Sequence, residues 1–215
     1  MIKETSRANW FGCSDTNQIC GGWHTKTFEN WWKEKCGIPT PSFQNKYTLA
    51  GTHYEHKILE AVKIIEGYDD LHYETDKQLL IPKYRIRANL DGSTKSRFEG
   101  DVPRIYECKT YKDGKDFKVS LAYYRQAQAE MFAWKEYFGE PCELTIVAYP
   151  LTEMEYKNWF RPIDRNKISF HPVEYDENFI NNVYLPRIKI LAECIKVGRW
   201  PVLPENLCKR SNKAS

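Results

Sequence analysis

Apolar residues recur along this chain at two spacings, one typical of helices and one typical of strands. The helical spacing covers residues 48–66, where Gly67 provides a stop, and residues 119–138, which end at Gly139-Glu140-Pro141. Shorter helices are predicted from Ser14 to about Cys20, from Phe28 to Cys36 with Thr27 as the cap, and after Asp176, where Pro186 should cause a kink or break.

The strand pattern occurs in five runs. Three of them, residues 71–81, 84–90 and 104–110, lie between the two long helices, and residues 142–149 and 168–174 follow the second. Pro82 and the polar loop DGSTKSRFEGD separate the first three runs, which a hairpin or meander fits. The order α-β-β-β-α-β, with additions at both ends, predicts an α/β fold with a central mixed β-sheet flanked by helices.

Composition sets limits on the class of protein. A chain of 215 residues with 41% hydrophobic residues fits a single domain over residues 1–215, with residues 208–215 as a flexible tail. The balance of 32 basic and 29 acidic residues differs from that of a chromatin or ribosomal protein but permits a local positive groove. No run of about 18 apolar residues and no signal peptide is visible, so we expect a soluble, cytoplasmic protein.

The seven cysteines show no Cys-x-x-Cys spacing. This absence argues against a zinc or iron–sulfur site, and reduced thiols are the simpler interpretation.

Candidate chemistry is concentrated between residues 88 and 110. Side chains two apart on a strand point to the same face, so Glu107 and Lys109 project together while Cys108 points the other way. If Asp91 ends the neighbouring strand, two carboxylates meet and form a Mg²⁺ site, which the backbone carbonyl of Cys108 would complete. The alternative is a plain Asp-Gly turn beside an exposed Glu-x-Lys strand face, and Asp101 is a rival ligand.

The order Glu55, Asp91, Glu107-Cys108-Lys109 resembles the PD-(D/E)XK nuclease superfamily, with Leu90-Asp91 in place of its Pro-Asp. Within it, the chain is similar to the YqaJ-like and phage lambda exonuclease group. Three further stretches carry this likeness: RANWFGCSD near the start, GTHYEHKILEAV, and YYRQAQAEM in the second long helix.

The resemblance implies roles for individual residues. Arg7, Gly12 and Ser14 would serve the DNA phosphates, and Gln128 would also contact the substrate. Glu55, rather than Glu60, would be the active-site acid of its helix. Tyr123 and Gln126 would face the active site. The ligands of Mg²⁺, or of Mn²⁺ as a substitute, would be Asp91, Glu107, the Cys108 carbonyl and Glu55.

The same resemblance implies a restriction-endonuclease-like core and an exonuclease that degrades linear double-stranded DNA from its ends, 5′ to 3′, in phage-type recombination within a bacterial host. It also implies a single-strand annealing protein as partner and a homotrimer. Two alternatives stay open: a site-specific or structure-specific endonuclease on the same fold, and a nucleic-acid-binding protein without catalysis.

Some residues have two interpretations. His53 and His56 are either exposed or metal-binding, and the aromatic pairs Trp31-Trp32 and Trp159-Phe160 either pack internally or stack on DNA bases. Basic residues in two loops either follow the DNA backbone or are simply solvated: Lys95, Arg97, Lys112, Lys115 and Lys118.

Overall fold

A computed structural model describes residues 8–39, 46–67, 78–94 and 101–208. Its helices are α1 (Thr16–Cys20), α2 (Lys26–Lys35), α3 (Lys46–Glu66), α4 (Leu121–Phe138), α5 (Glu153–Lys157), α6 (Glu177–Phe179), α7 (Leu185–Val197) and α8 (Glu205–Cys208). Its strands are β1 (Phe11–Gly12), β2 (Gln78–Ile81), β3 (Ile86–Asn89), β4 (Gly92–Thr94), β5 (Arg104–Lys112), β6 (Glu143–Leu151) and β7 (Ser169–Val173).

The described strands form two mixed sheets instead of the one that was predicted. The first has the order β1-β3-β2, with β1 parallel and β2 antiparallel to β3. The second has the order β4-β5-β6-β7, in which β5 and β6 are parallel and the outer pairs are antiparallel. The chain passes from the first sheet to the second at Leu90-Asp91. The α/β class with helices around mixed sheets is therefore confirmed, and Asp91 lies at the junction of the sheets.

Apolar side chains cover both faces of the second sheet. Ile105 and Ile146 belong to one buried cluster, which includes Ala127 and Met131 of α4. Tyr106 and Val147, their neighbours in sequence, belong to another cluster that includes Tyr54 and Ile58 of α3. Successive strand residues point to opposite faces, so this sheet lies between α3 and α4.

Several boundaries differ from the sequence-based predictions. Thr25, and not Thr27, caps α2, since its hydroxyl accepts a hydrogen bond from the backbone N–H of Phe28. The strand β4 lies in a stretch predicted to be loop, and only Gln78–Ile81 of the run 71–81 is both described and extended. Before Pro186 the chain forms a π-helical segment, Ile180–Tyr184, and the proline then occupies the first turn of α7. The predicted irregularity is therefore present, and it lies just before Pro186. The proline itself is tolerated because it occupies the first turn of a helix.

The described residues also bear on the cysteines and on membrane-spanning helices. They contain all seven cysteines, and no disulfide bond links any two of them. Across the same residues, no helix combines the length and the apolar character needed to cross a membrane.

Candidate active site

Asp91 is fixed by a hydrogen bond to the central strand of the second sheet. The backbone N–H of Cys108 on β5 donates to Oδ2 of Asp91 at 2.7 Å. Asp91 therefore lies beside Cys108, the residue that follows Glu107 on β5, as the sequence predicted. The Cys108 side chain points to the α3 face, where its Sγ lies 4.0 Å from the carbonyl oxygen of Glu55. The rival Asp101 is exposed ahead of β5.

Glu107 and Lys109 project from the other face of β5 toward α4, where Gln126 joins them. Oε1 of Glu107 accepts hydrogen bonds from Nζ of Lys109 and, at 2.6 Å, from Nε2 of Gln126. Nζ of Lys109 also donates to Oε1 of Gln126 at 3.2 Å and lies 5.1 Å from the centre of the Tyr123 ring. The structure thus brings together four residues that were predicted separately from two motifs.

Glu55 reaches the same group from α3, on the opposite side of the sheet. Burial raises the pKa of its carboxyl, and the charge of Glu107 adds to this rise. Burial likewise raises the pKa of Asp91 well above its ordinary value, with further contributions from Glu107 and Glu55. The charge of Glu107 is therefore close enough to disfavour the ionisation of both Glu55 and Asp91.

The same carboxylates favour the charged form of Lys109. Burial alone would lower the pKa of its ammonium, but the charges of Glu107, Asp91 and Glu130 outweigh this effect and raise the pKa above its ordinary value. Lys109 therefore stays protonated at neutral pH and acts as a hydrogen-bond donor.

The carboxylates fit a divalent cation. Oε2 of Glu107 is buried and has no hydrogen-bond partner among the described residues, although its Oε1 has two. A cation there would satisfy this oxygen and relieve the repulsion from Asp91 and Glu55. No three His, Cys, Asp or Glu residues of the described segments form a ligand cluster by themselves. Mg²⁺ does not require such a cluster, because it keeps several waters and takes one or two carboxylates.

A cavity of about 220 Å³ opens beside Asp91 and Gln126. Gly12 and Ser14 of the predicted opening motif line it, Ser14 within the 3₁₀ turn Cys13–Asp15. Its other polar lining residues were not predicted from the sequence: Asp15, Lys35, Arg87, Asn89 and Glu130. Two of them could have been found from the sequence. Arg87 and Asn89 are two residues apart on β3, as Glu107 and Lys109 are on β5, so each pair points to one face of its strand.

One predicted substrate-binding residue, Gln128, is not brought into this group. Both ends of the Gln128 amide are occupied, because its Nε2 donates to the carbonyl of Glu174 and its Oε1 accepts from the N–H of Asp176, each at 2.7 Å. Its fully buried side chain joins α4 to the chain after β7, which corrects the expectation that it faces the DNA. Arg7 lies outside the described residues, as do Lys95 and Arg97.

The aromatic pairs have different environments. Trp31 and Trp32 are buried against Phe11 and Phe28, so the interpretation as core is confirmed. The ring of Trp159 stacks on His53 at 4.3 Å between ring centres, whereas Phe160 is 95% exposed.

Two crystal structures of an alkaline exonuclease, LHK-Exo, are similar to this chain over nearly their whole length. The complex of LHK-Exo with dAMP has a TM-score of 0.62 and 15% sequence identity, covering 89% of this chain and 90% of that one. The structure of LHK-Exo from Laribacter hongkongensis has a TM-score of 0.59 and 16% identity, covering 97% and 96%. No family model and no curated protein matches the sequence. The chain therefore has the fold of the alkaline exonuclease LHK-Exo.

Proposed function

We propose that this chain is a Mg²⁺-dependent deoxyribonuclease that degrades linear double-stranded DNA from an end. The observation that carries the proposal is the environment of the buried Glu107, which lies near Asp91. Its Oε1 accepts hydrogen bonds from Lys109 and Gln126, whereas its Oε2 has no hydrogen-bond partner in the described structure. The fold shared with LHK-Exo supports an exonuclease in particular.

Asp91, Glu107 and the Cys108 carbonyl, with Glu55 beside them, would hold the cation, and Mn²⁺ would substitute for Mg²⁺. A bound divalent cation polarises a phosphoryl oxygen and lowers the pKa of its water. Lys109 donates hydrogen bonds to Glu107 and Gln126 in the structure. Its ammonium would donate to the phosphate oxygens, on which negative charge grows during hydrolysis.

The cavity beside Asp91 would receive the phosphate at the DNA end. Ser14 offers a hydroxyl there, and Lys35 and Arg87 are cations in its lining. Lys35 forms an ion pair with Asp15 at 2.6 Å, so its position is fixed before any substrate enters. By the resemblance, Arg7 would add a further cation.

Finer parts of the proposal rest on the sequence resemblance. They are a 5′ to 3′ direction, a role in phage-type recombination in the cytoplasm of a bacterial host, an annealing protein as partner, and a homotrimer. The deoxynucleoside monophosphate in the LHK-Exo complex, dAMP, is the kind of product that an exonuclease releases.

The test uses three DNA substrates with Mg²⁺: linear 5′-phosphorylated, linear unphosphorylated and covalently closed circular. We expect loss of linear DNA, persistence of the circle, and no reaction in EDTA. Lys109→Ala should lower the rate by about 100-fold or more, because a donor to the developing charge is lost. Lys135→Ala, on the exposed face of α4, is the matched control and should keep the wild-type rate.

Persistence of all three substrates would contradict the enzyme and favour the non-catalytic binding protein. Cutting of the circle would favour the endonuclease. Linear duplexes labelled at the 5′ or the 3′ end report the direction, because a 5′ to 3′ enzyme releases the 5′ label first.

A further inference from the structure

Glu130 is a buried acid on α4 that lines the same cavity as Asp91 and Gln126. It follows Gln126 by four residues, so the two side chains lie on one face of the helix. The side chain of Glu130 is 1% exposed. Burying a carboxylate is unfavourable unless it is hydrogen-bonded. The hydrogen-bond partners of Glu130 therefore indicate the role of this side chain.

Gln126 is the partner of Glu130. Nε2 of Gln126 donates to Oε1 of Glu130 at 2.8 Å and to Oε1 of Glu107 at 2.6 Å. A side-chain amide has two N–H donors, and these two carboxylates use both. The other oxygen of Glu130, Oε2, is buried and finds no hydrogen-bond partner in the described segments.

The orientation of the Gln126 amide depends on these contacts. A half-turn of the amide would exchange its oxygen and its nitrogen within nearly the same shape. The oxygen would then face two carboxylates, and the NH₂ group would face the Lys109 ammonium. Glu107 opposes this turn, but its Oε1 also accepts from Lys109 and its Oε2 is open to a cation. Glu130 differs in that its side chain accepts from Gln126 and from no other residue in the hydrogen bonds described.

We infer that Glu130 is a positioning residue that fixes the Gln126 amide with its oxygen toward Lys109. The catalytic consequence of this inference rests on the proposed nuclease function. Fixing the amide holds Nζ of Lys109 between two acceptors, Glu107 and Gln126, so the ammonium stays aligned. A neutral residue at position 130 allows Gln126 to turn and weakens that alignment.

The first measurement needs neither DNA nor a cation. Solvent exchange of the Gln126 NH₂ protons is followed by NMR in protein with ¹⁵N-labelled glutamine, and the signals are assigned by their loss in Gln126→Ala. Exchange should be slow in the wild type and at least about 10-fold faster in Glu130→Met, which keeps the side-chain length but removes the acceptor oxygen. Glu155→Met, which makes the same change at another buried acid, is the matched control and should leave this exchange unchanged.

The second measurement is a double-mutant cycle on linear DNA. Glu130→Gln should lower kcat by about 10-fold, because it disturbs the alignment of the Lys109 ammonium. In the Gln126→Ala background the same substitution should have no further effect, since Glu130 acts through Gln126. Glu130→Met provides a second variant of similar length without a polar end. Cooperative thermal unfolding of each variant confirms that it is folded.

Unchanged exchange of the Gln126 protons in Glu130→Met would overturn the inference. So would an equal loss of kcat with and without Gln126, which would indicate that Glu130 acts directly, for example as a cation ligand. If the wild type degrades no DNA, the proposed function fails, while the exchange measurement still decides the role of Glu130.

Discussion

At the scale of single residues, two side chains that are distant in sequence meet at one cavity. Ser14 comes from the turn after β1, and Asp91 comes from the junction between the two sheets. The cavity is thus lined both by a hydroxyl and by a carboxylate of the proposed cation site. It supports a role for Ser14 in binding the terminal phosphate next to the bond that is cut.

The first prediction concerns this hydroxyl. Ser14→Ala should reduce the preference for 5′-phosphorylated over unphosphorylated linear DNA by about 10-fold, because one hydrogen bond to a charged group is lost. The ratio of kcat/KM on the two substrates measures the effect. Ser169→Ala removes a hydroxyl that contacts His171 and should keep the ratio. An unchanged ratio in Ser14→Ala would assign the phosphate to another part of the surface.

At the scale of elements, local patterns predicted the residues of a single strand well. Alternation on β5 identified Glu107 and Lys109, and the spacing of apolar residues predicted α3 and α4 within two residues at each end. The division into two sheets was not predictable, because pairing between distant strands leaves no local pattern. Glu130 was missed for a similar reason: a lone acid on a helix is usually exposed, and only the tertiary structure shows that this one is buried.

The short helix α5 provides a prediction on stability and pH. Burial tends to raise the pKa of Glu155, but hydrogen bonds from the Thr152 side chain and backbone and from the Tyr149 hydroxyl outweigh it and lower the pKa below 4.5. The ionised form is therefore favoured in the folded state. Its stabilisation is present above the ordinary pKa and is lost as the pH falls through the lowered pKa.

Glu155→Gln should accordingly reduce the free energy of unfolding by about 1 kcal/mol at pH 7. The difference from the wild type should shrink when urea unfolding is repeated at about pH 3. Glu153→Gln, at an exposed position of the same helix, is the control. A difference that grows toward low pH would contradict the assignment.

At the scale of the whole molecule, a buried cation connects the C-terminal helices. Arg187 on α7 donates to the carbonyl of Val183 in the π-helical segment at 2.9 Å and to the carbonyl of Leu207 on α8 at 2.6 Å. Its side chain is fully buried. The sequence did not indicate this role, because an arginine on a helix is normally exposed.

Arg187→Met should lower the free energy of unfolding by about 2 kcal/mol, since two buried carbonyl groups lose a charged donor. Arg199→Met, at an exposed position after α7, should have little effect. The midpoints of urea unfolding compare the two variants. Equal midpoints would show that α8 is held by its apolar contacts alone.

The hydrogen bonds around Asp91 and Glu107 also bear on which ion the site selects. The Cys108 N–H occupies one oxygen of Asp91, and Lys109 and Gln126 occupy one oxygen of Glu107. Two donors use both lone pairs of Oε1 of Glu107, so Glu107 is left to coordinate an ion through Oε2 alone. Ca²⁺ takes six to eight oxygens and gains from bidentate carboxylates, whereas Mg²⁺ fills an octahedron largely with water. The same contacts that fix Lys109 thus disfavour the larger ion, and we expect calcium to be a poor substitute.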